Sequence, residues 1–158
     1  MCGLSGIISK KNHNQSSLNN KLIKMTELIS HRGPDQAGYL KFENVHLSHV
    51  RLSVMDPRNL GRQPMSNDNR YAIIFNGEIY NFIEIRNTLI KKGYRFYTNT
   101  DTEVALNAYK EWNIKCFDMF NRFFNDLTCF CSSGFEIKVR HLTIFSSLSS
   151  FLNCITQF

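Results

Sequence analysis

Apolar positions recur with two different periods along the first four-fifths of the chain, and each period predicts an element. Residues 3–9 (GLSGIIS) read as a short apolar strand, and the polar KKNHNQSS that follows reads as a turn. Leu18, Leu22, Met25 and Ile29 recur at i, i+4, i+7 and i+11, which predicts a helix over about 18–30 with Ser16 or Ser17 as its cap. HRGPDQAG, punctuated by Gly33, Pro34 and Gly38, reads as a loop, and YLKF and VHLSHV then alternate like an antiparallel strand pair. Residues 57–70 contain Pro57, Gly61, Pro64 and several Asn and Asp residues, and read as an exposed loop. YAIIFN is an apolar, β-branched strand running straight into NGE. Phe82, Ile85 and Leu89 mark one face of a second helix over about 81–92, with Gly93 as its stop. YRFY reads as a strand, and Thr100-x-x-Glu103 has capping-box spacing for a third helix over about 101–112. Hairpin-linked strands with separate helices predict an α+β fold rather than a doubly wound parallel sheet. From Phe123 onward the periodicity fades while Ser and Phe rise together.

Composition narrows the class. A chain of 158 residues, 42% hydrophobic and 20% charged, is one domain's worth of polypeptide with a sizeable core, which excludes wholesale disorder. No uninterrupted apolar run reaches the ~18 residues a spanning helix needs, and no basic-then-apolar leader opens the chain, so neither membrane nor secretion is expected. The net charge of +6 raises the question of nucleic acid. Apart from the pairs Lys10-Lys11 and Lys91-Lys92, however, the basic residues are scattered, and no Arg-aromatic stripe accompanies them; a solvated basic surface is expected, with no nucleic-acid partner. Five cysteines, odd in number and without a disulfide framework, suit a reducing cytoplasm.

The chemistry begins at Cys2, which precedes Gly3. Removal of Met1 would leave one residue bearing both a thiol and a free α-amine, a nucleophile with its own base. The amine titrates near ~7.7–8.0 and a free thiol near ~8.5, so exchanging a proton between them costs little at neutral pH. Asn76 and Gly77 close the apolar strand, where a side-chain amide and a backbone N–H can point at one oxygen and serve as an oxyanion hole. The same two residues equally suit a tight Asn-Gly turn with Glu78 starting a return strand. His46 and His49 stand three apart on a strand-like segment and so on opposite faces, and Cys129-x-Cys131 lacks a second Cys/His pair, so no metal site is expected. Trp112 reads as a core residue.

Six ordered motifs, MCGLSGI, HRGPDQAG, HVRLSVMDP, QPM, FNGEIYN and TDTEV, give residues 2–121 a resemblance to the class II, N-terminal nucleophile glutamine amidotransferase domain. HRGPD together with RLSVMD and NGEIYN looks like glutamine-hydrolysing asparagine synthetases in particular. The resemblance implies a four-layer αββα sandwich. It implies that Cys2 attacks the side-chain amide of glutamine, that its own amine accepts the thiol proton, and that Asn76 and Gly77 hold the oxyanion. Arg51 would grip the substrate α-carboxylate and Asp101 the α-ammonium, while backbone groups near Leu52, Val54 and Glu78 complete the pocket. His31 and Arg32 would shape the adjoining loop.

After Asn121 the sequence departs from the family. An expected glycine and alternating strand, and later an Arg-Asp pair and a Lys-Pro-Leu run, are replaced by FNRFFNDLTCFCSSGFEIKVR and a Ser/Phe-rich end. Residues 122–158 are therefore expected to be a divergent, out-of-frame tail, leaving the C-terminal part of the fold missing or non-native, with an open sheet edge and an unfilled core. The Ser-Gly-Gly-x-Asp-Ser loop of an ATP-dependent ligase is absent from the sequence. The chain is thus expected to need no cofactor itself, with ATP and magnesium belonging to a ligase partner that consumes the ammonia. Two alternatives stand beside glutamine hydrolysis: an inactive truncated remnant, and the glutaminase half of a related amidotransferase with another acceptor.

Overall fold

The computed structural model describes residues 2–8, 15–42, 45–66, 68, 70–124, 128–132 and 137–140. These fall into two compact units, one drawn from residues 2–53 with 62–64 and the other from 54–61 with 65–140. Met1 and most of the divergent stretch expected over 122–158 lie outside the described residues.

In the first unit, β1 (Gly3–Ile8), β2 (Gln36–Phe42) and β3 (Val45–Arg51) form an antiparallel sheet in the order β1-β3-β2. Gly3 pairs with Val50 and Ile8 with Val45, so the start of β1 lies beside the end of β3. Helix α1 (Gln15–Leu28) packs on β1 and β3 and buries Leu18 and Leu22. It begins earlier than its apolar repeat suggests, so Ser16 and Ser17 lie inside the first turn instead of capping it. The first-turn N–H groups have no partner one turn back, so serines are tolerated there. Where α1 meets the sheet, the contact is polar. Ser5 Oγ lies 2.5 Å from Ser48 Oγ, and Thr26 Oγ1 lies 2.7 Å from both Ser48 Oγ and the Leu22 carbonyl. The Thr26 hydroxyl donates toward both Ser48 Oγ and the Leu22 carbonyl, and either serine can donate in the Ser5–Ser48 pair, so three buried hydroxyls are satisfied without water. His46 also turns toward α1, its Nδ1 lying 3.0 Å from Asn19 Oδ1; burial, then the charge of Lys41, hold the imidazole below its ordinary range. His49 falls on the opposite face of the strand. Among the described residues no group of three or more His, Cys, Asp or Glu side chains could hold a metal ion.

HRGPDQAG is only partly a loop. A 3-10 turn occupies Ser30–Arg32, and β2 already starts at Gln36, with Gly38 buried inside it. Gly38 marks a close backbone approach and not a turn: a Cβ there would stand 1.9 Å from the Gln63 carbonyl oxygen. Gly33 lies equally close to β3, because a Cβ would meet the Val50 carbonyl carbon and oxygen at 2.4 Å and the Arg51 nitrogen at 2.5 Å.

The second unit contains a sheet in the order β4-β5-β8-β9, built from β4 (Met65–Ser66), β5 (Tyr71–Ile74), β8 (Thr128–Ser132) and β9 (Ile137–Arg140). A separate pair joins β6 (Gly77–Ile79) to β7 (Arg122–Phe124). Helices α2 (Phe82–Lys91) and α3 (Asp101–Trp112) pack together, followed by the short α4 (Cys116–Met119). Ile73, Phe75, Ile79, Leu89, Val104, Leu106 and Phe117 fill the core, and Trp112 packs against it as expected. The expected loop over 57–70 is interrupted, because Met65 pairs with Ile73 and is buried. YRFY is not a strand. Its groups are taken by side chains: Tyr94 Oη donates to Glu111, Arg86 lies 4.5 Å over the Phe96 ring, and the Tyr97 N–H goes to Glu103. Nor is the sheet left open beside β5. The TCFCS segment supplies β8, which pairs Tyr71 with Ser132 through Ile74 with Cys129; any chain with strand-compatible residues can satisfy a ladder through its backbone. No helix among the described residues is long and apolar enough to cross a membrane.

Two glycines predict different costs. Gly33→Ala forces backbone apart and should destabilise the chain by roughly 3 kcal/mol or more. Gly93, with φ +93° and no atom within 4 Å of a Cβ, should lose only about 1–2 kcal/mol on replacement by Ala, from the left-handed backbone alone. Urea unfolding of both variants checks the order.

Candidate active site

The end of β3 collects the first group of residues. Arg51 closes the strand, buried, with its Nη1 donating to Gln36 Oε1 at 3.1 Å. Leu52 follows, and its backbone N–H points at Cys2 Sγ at 3.4 Å, with the thiol 3.8 Å from the Leu52 carbonyl. This follows from register: Gly3 opposite Val50 leaves Cys2 beside the two residues that leave β3. Position 3 is tight for a side chain: a Cβ would stand 2.9 Å from Val50 Cγ2, so a larger residue would force that side chain to shift. The thiol is half-buried and free. Its own carbonyl accepts the Arg32 Nε–H at 2.9 Å, so the residue is held at both sulfur and backbone.

HRGPD supports this corner from beside it. Pro34 bridges Arg51 in parallel register, the Asp35 N–H donates to the Arg51 carbonyl, and Asp35 Oδ2 accepts the Ser53 N–H at 2.7 Å. The loop thus fixes the backbone on both sides of Leu52. His31, read as a loop-shaping residue outside the site, is exposed.

In the second unit, Phe75 and Asn76 follow β5 and are buried, and Gly77 opens β6. The Asn-Gly turn alternative is not what forms: β5 pairs with β4 and β8, and β6 pairs with β7, so β5 and β6 are not hairpin partners. Glu78 is exposed, and Ile79 beyond it donates its N–H to Asp101 Oδ2 at 3.1 Å. Asp101 is the first residue of α3 and 6% exposed. Burial pushes its carboxyl up to about 6; N–H donation from Ile79 and Thr102 opposes the shift, and the charge of Glu78 adds to it. The side chains of Leu52 and Val54 are exposed. At Leu52 the backbone therefore makes the contact with the thiol.

The turn ahead of Asp101 is held by Glu103, in a role other than the expected one, and by Asp56 with Arg58, which the sequence reading did not assign. Thr100 caps α3 by accepting the Glu103 N–H, one arm of the expected capping box. The reciprocal arm is not made. Glu103, 1% exposed, reaches past it to the N–H groups of Tyr97 and Thr98 and the Thr98 hydroxyl, at 2.7–3.2 Å. Thr100 N–H goes to Thr98 Oγ1 instead. The Asn99 N–H is accepted at 2.9 Å by Asp56, whose carboxylate takes the Arg58 guanidinium on both oxygens. Those bonds, led by Arg58, hold the Asp56 carboxyl well below the usual carboxylate range. Asp56 has φ +45°, a left-handed backbone that Asp tolerates better than most residues. That tolerance, in the string RLSVMD, is the only sequence signal for Asp56.

Residues 1–127 match the profile of the glutamine amidotransferase domain. The chain is 48% identical over 114 residues to asparagine synthetase [glutamine-hydrolysing] 1 of Bacillus subtilis, covering 71% of this chain and 18% of that protein. It is 34% identical over 125 residues to the Arabidopsis thaliana asparagine synthetase [glutamine-hydrolysing] 3, covering 78% of this chain and 21% of that protein. The chain thus spans about a fifth of the length of these curated relatives. Among solved structures, glutamine phosphoribosylpyrophosphate amidotransferase from B. subtilis, in complex with ADP and GMP, superposes with a TM-score of 0.66 at 16% identity, over 82% of this chain and 35% of that one. That likeness gives the expected α+β fold of N-terminal nucleophile hydrolases. By profile, by relatives and by fold, the chain belongs to the glutamine amidotransferase domain family.

Proposed function

We propose that this chain hydrolyses glutamine to glutamate and ammonia as the glutaminase part of an asparagine synthetase. The observation that carries the reading is the Leu52 N–H aimed at Cys2 Sγ at 3.4 Å, one residue after the buried Arg51. A nucleophile and a carboxylate-binding cation are thereby held by one strand end. In the reaction, Cys2 Sγ attacks the side-chain amide carbon of glutamine while its α-amine, freed by loss of Met1, takes the thiol proton. Asn76 and Gly77 donate to the oxyanion, and the same amine returns the proton as ammonia departs. Water then releases glutamate from the thioester. Arg51 binds the α-carboxylate through its planar fork, and Asp101 pairs with the α-ammonium. Backbone groups around Leu52, Val54 and Glu78 complete recognition.

The hydrolysis requires no cofactor, since thiol, amine and hydrogen-bond donors supply every proton movement. The ammonia passes to an acceptor step that uses ATP and magnesium in the ligase part of the enzyme. We place the chain in the cytoplasm, where the nucleophilic thiol stays reduced.

Cys2→Ala should lower glutamate release by roughly 10⁴-fold or more, measured on protein whose mature N-terminus has been determined by mass spectrometry. Activity that survives the change rules the mechanism out.

Asp101 yields a second test, in which binding and stability move oppositely. Its carboxyl titrates near 6 in the folded chain, above its ordinary 3.8. Between these values the folded state binds more protons than the unfolded state, so stability falls as pH rises through that window and stays lower above it. Asp101→Asn removes the buried charge and should stabilise the chain on the order of 2–3 kcal/mol at pH 8, with no gain below about pH 4. The same change should cost glutamine kcat/KM at pH 8 by roughly a hundredfold. In the unmodified chain, kcat/KM for glutamine should drop as pH falls through about 6, as Asp101 takes up its proton.

A further inference from the structure

The turn Tyr97–Thr100 has all four backbone N–H groups committed before α3 begins. Tyr97 and Thr98 donate to Glu103, Asn99 donates to Asp56, and Thr100 donates to the Thr98 hydroxyl. The Thr98 hydroxyl donates in turn to Glu103 Oε2 at 2.7 Å. Two carboxylates therefore hold one four-residue turn, one from the helix that follows it and one from the segment after Val54. Charge-assisted bonds of this kind are stronger than neutral ones, and several on one turn leave it little freedom. Arg58 takes both oxygens of Asp56 and so orients the carboxylate that accepts the Asn99 N–H. Its own side chain is 54% exposed, against 2% for Asp56, which is how an outer residue fixes an inner one.

We infer that Asp56, oriented by Arg58 and joined by Glu103, is a positioning residue that sets Asp101 against the substrate's α-ammonium. The inference rests on the glutaminase reading above and deepens it. The turn ends on Thr100, the cap of α3, and Asp101 is the next residue, so a shift of the turn moves the first residue of the helix. Asp56 also belongs to the segment that carries Val54, so one carboxylate ties two stretches assigned to glutamine recognition. Glu103 alone anchors only the near side of the turn.

The test compares the full chain's kcat/KM for L-glutamine with that for glutaramate, the same amide lacking the α-ammonium. Asp101→Asn sets the scale by removing the preference for glutamine. Asp56→Ala should reduce that preference on the order of tenfold while leaving glutaramate turnover within a few-fold. Arg58→Ala, at a half-exposed position that leaves the fold intact, should move the preference the same way by less. Asp56→Asn, which keeps an acceptor for the Asn99 N–H, should restore part of it. Equal losses on both substrates would mean a structural role only and would overturn the inference, as would an unchanged preference in Asp56→Ala and Arg58→Ala.

A wild-type chain that turns over neither substrate, or an Asp101→Asn chain with its preference intact, counts against the glutaminase reading instead. Amide hydrogen exchange then decides the positioning claim separately. Loss of protection in Arg58→Ala at both Asn99 and Ile79, the residue bound to Asp101, supports it, and loss at Asn99 without loss at Ile79 overturns it.

Discussion

The antiparallel register of the first and third strands decides what stands beside Cys2. With Gly3 opposite Val50, the residue before Gly3 has no choice but to lie beside the residues that leave the third strand, and those are Arg51 and Leu52. A slip of one residue would turn every side chain of the first strand to the other face and carry the thiol away from the Leu52 N–H. Three things hold that register: the absence of a side chain at Gly3, the buried contact between Ser5 and Ser48, and the Arg32 bond to the Cys2 carbonyl. Cys2 is thus held by the Arg32 bond at its own carbonyl and, through the first strand, by the Ser5–Ser48 contact.

The second unit faces a different problem, that of charge out of water. Asp101 and Glu103 are both nearly fully buried on one helix turn, and they meet the cost in opposite ways. Glu103 collects two N–H groups and a hydroxyl, so its charge is met by fixed donors. Asp101 accepts backbone N–H groups from Ile79, Thr102 and its own residue, yet burial outweighs them and raises its pKa, so a nearby cationic group would favour its anion. A buried carboxylate whose pKa is raised lowers stability wherever it is ionised. Natural sites commonly sacrifice stability in this manner.

What the sequence made legible was local. Thr100 and Glu103 are three apart, and the cap they form needs only a helix to appear; Leu18 and Leu22 likewise announce their buried stripe. Cys2, Arg51 and Asp101 were singled out through motif order. The missed features depend on partners far along the chain. Asp56 meets Asn99 across 43 positions, and no periodicity reports such a contact. Glu103 was expected to close a capping box but found better donors at Tyr97 and Thr98, which also removed those residues from strand pairing. Gly38 was read as a turn residue because glycine carries two meanings, conformational freedom and lack of bulk, and only the second operates there. The segment after Asn121 looked unable to complete a sheet, yet a ladder asks for backbone groups in extended form, and TCFCS supplies them beside the fifth strand.

The line of hydroxyls from Ser5 through Ser48 to Thr26 and the Leu22 carbonyl has a consequence for how this half of the molecule can change over time. Ser48 is the shared partner, so altering it alone strands Ser5 in a dry interior while Thr26 keeps the Leu22 carbonyl, whereas converting the whole row to apolar side chains of matching volume leaves nothing stranded. The row therefore behaves as a single inherited unit: intermediate versions are worse than either end, and drift at these three positions is expected to be concerted.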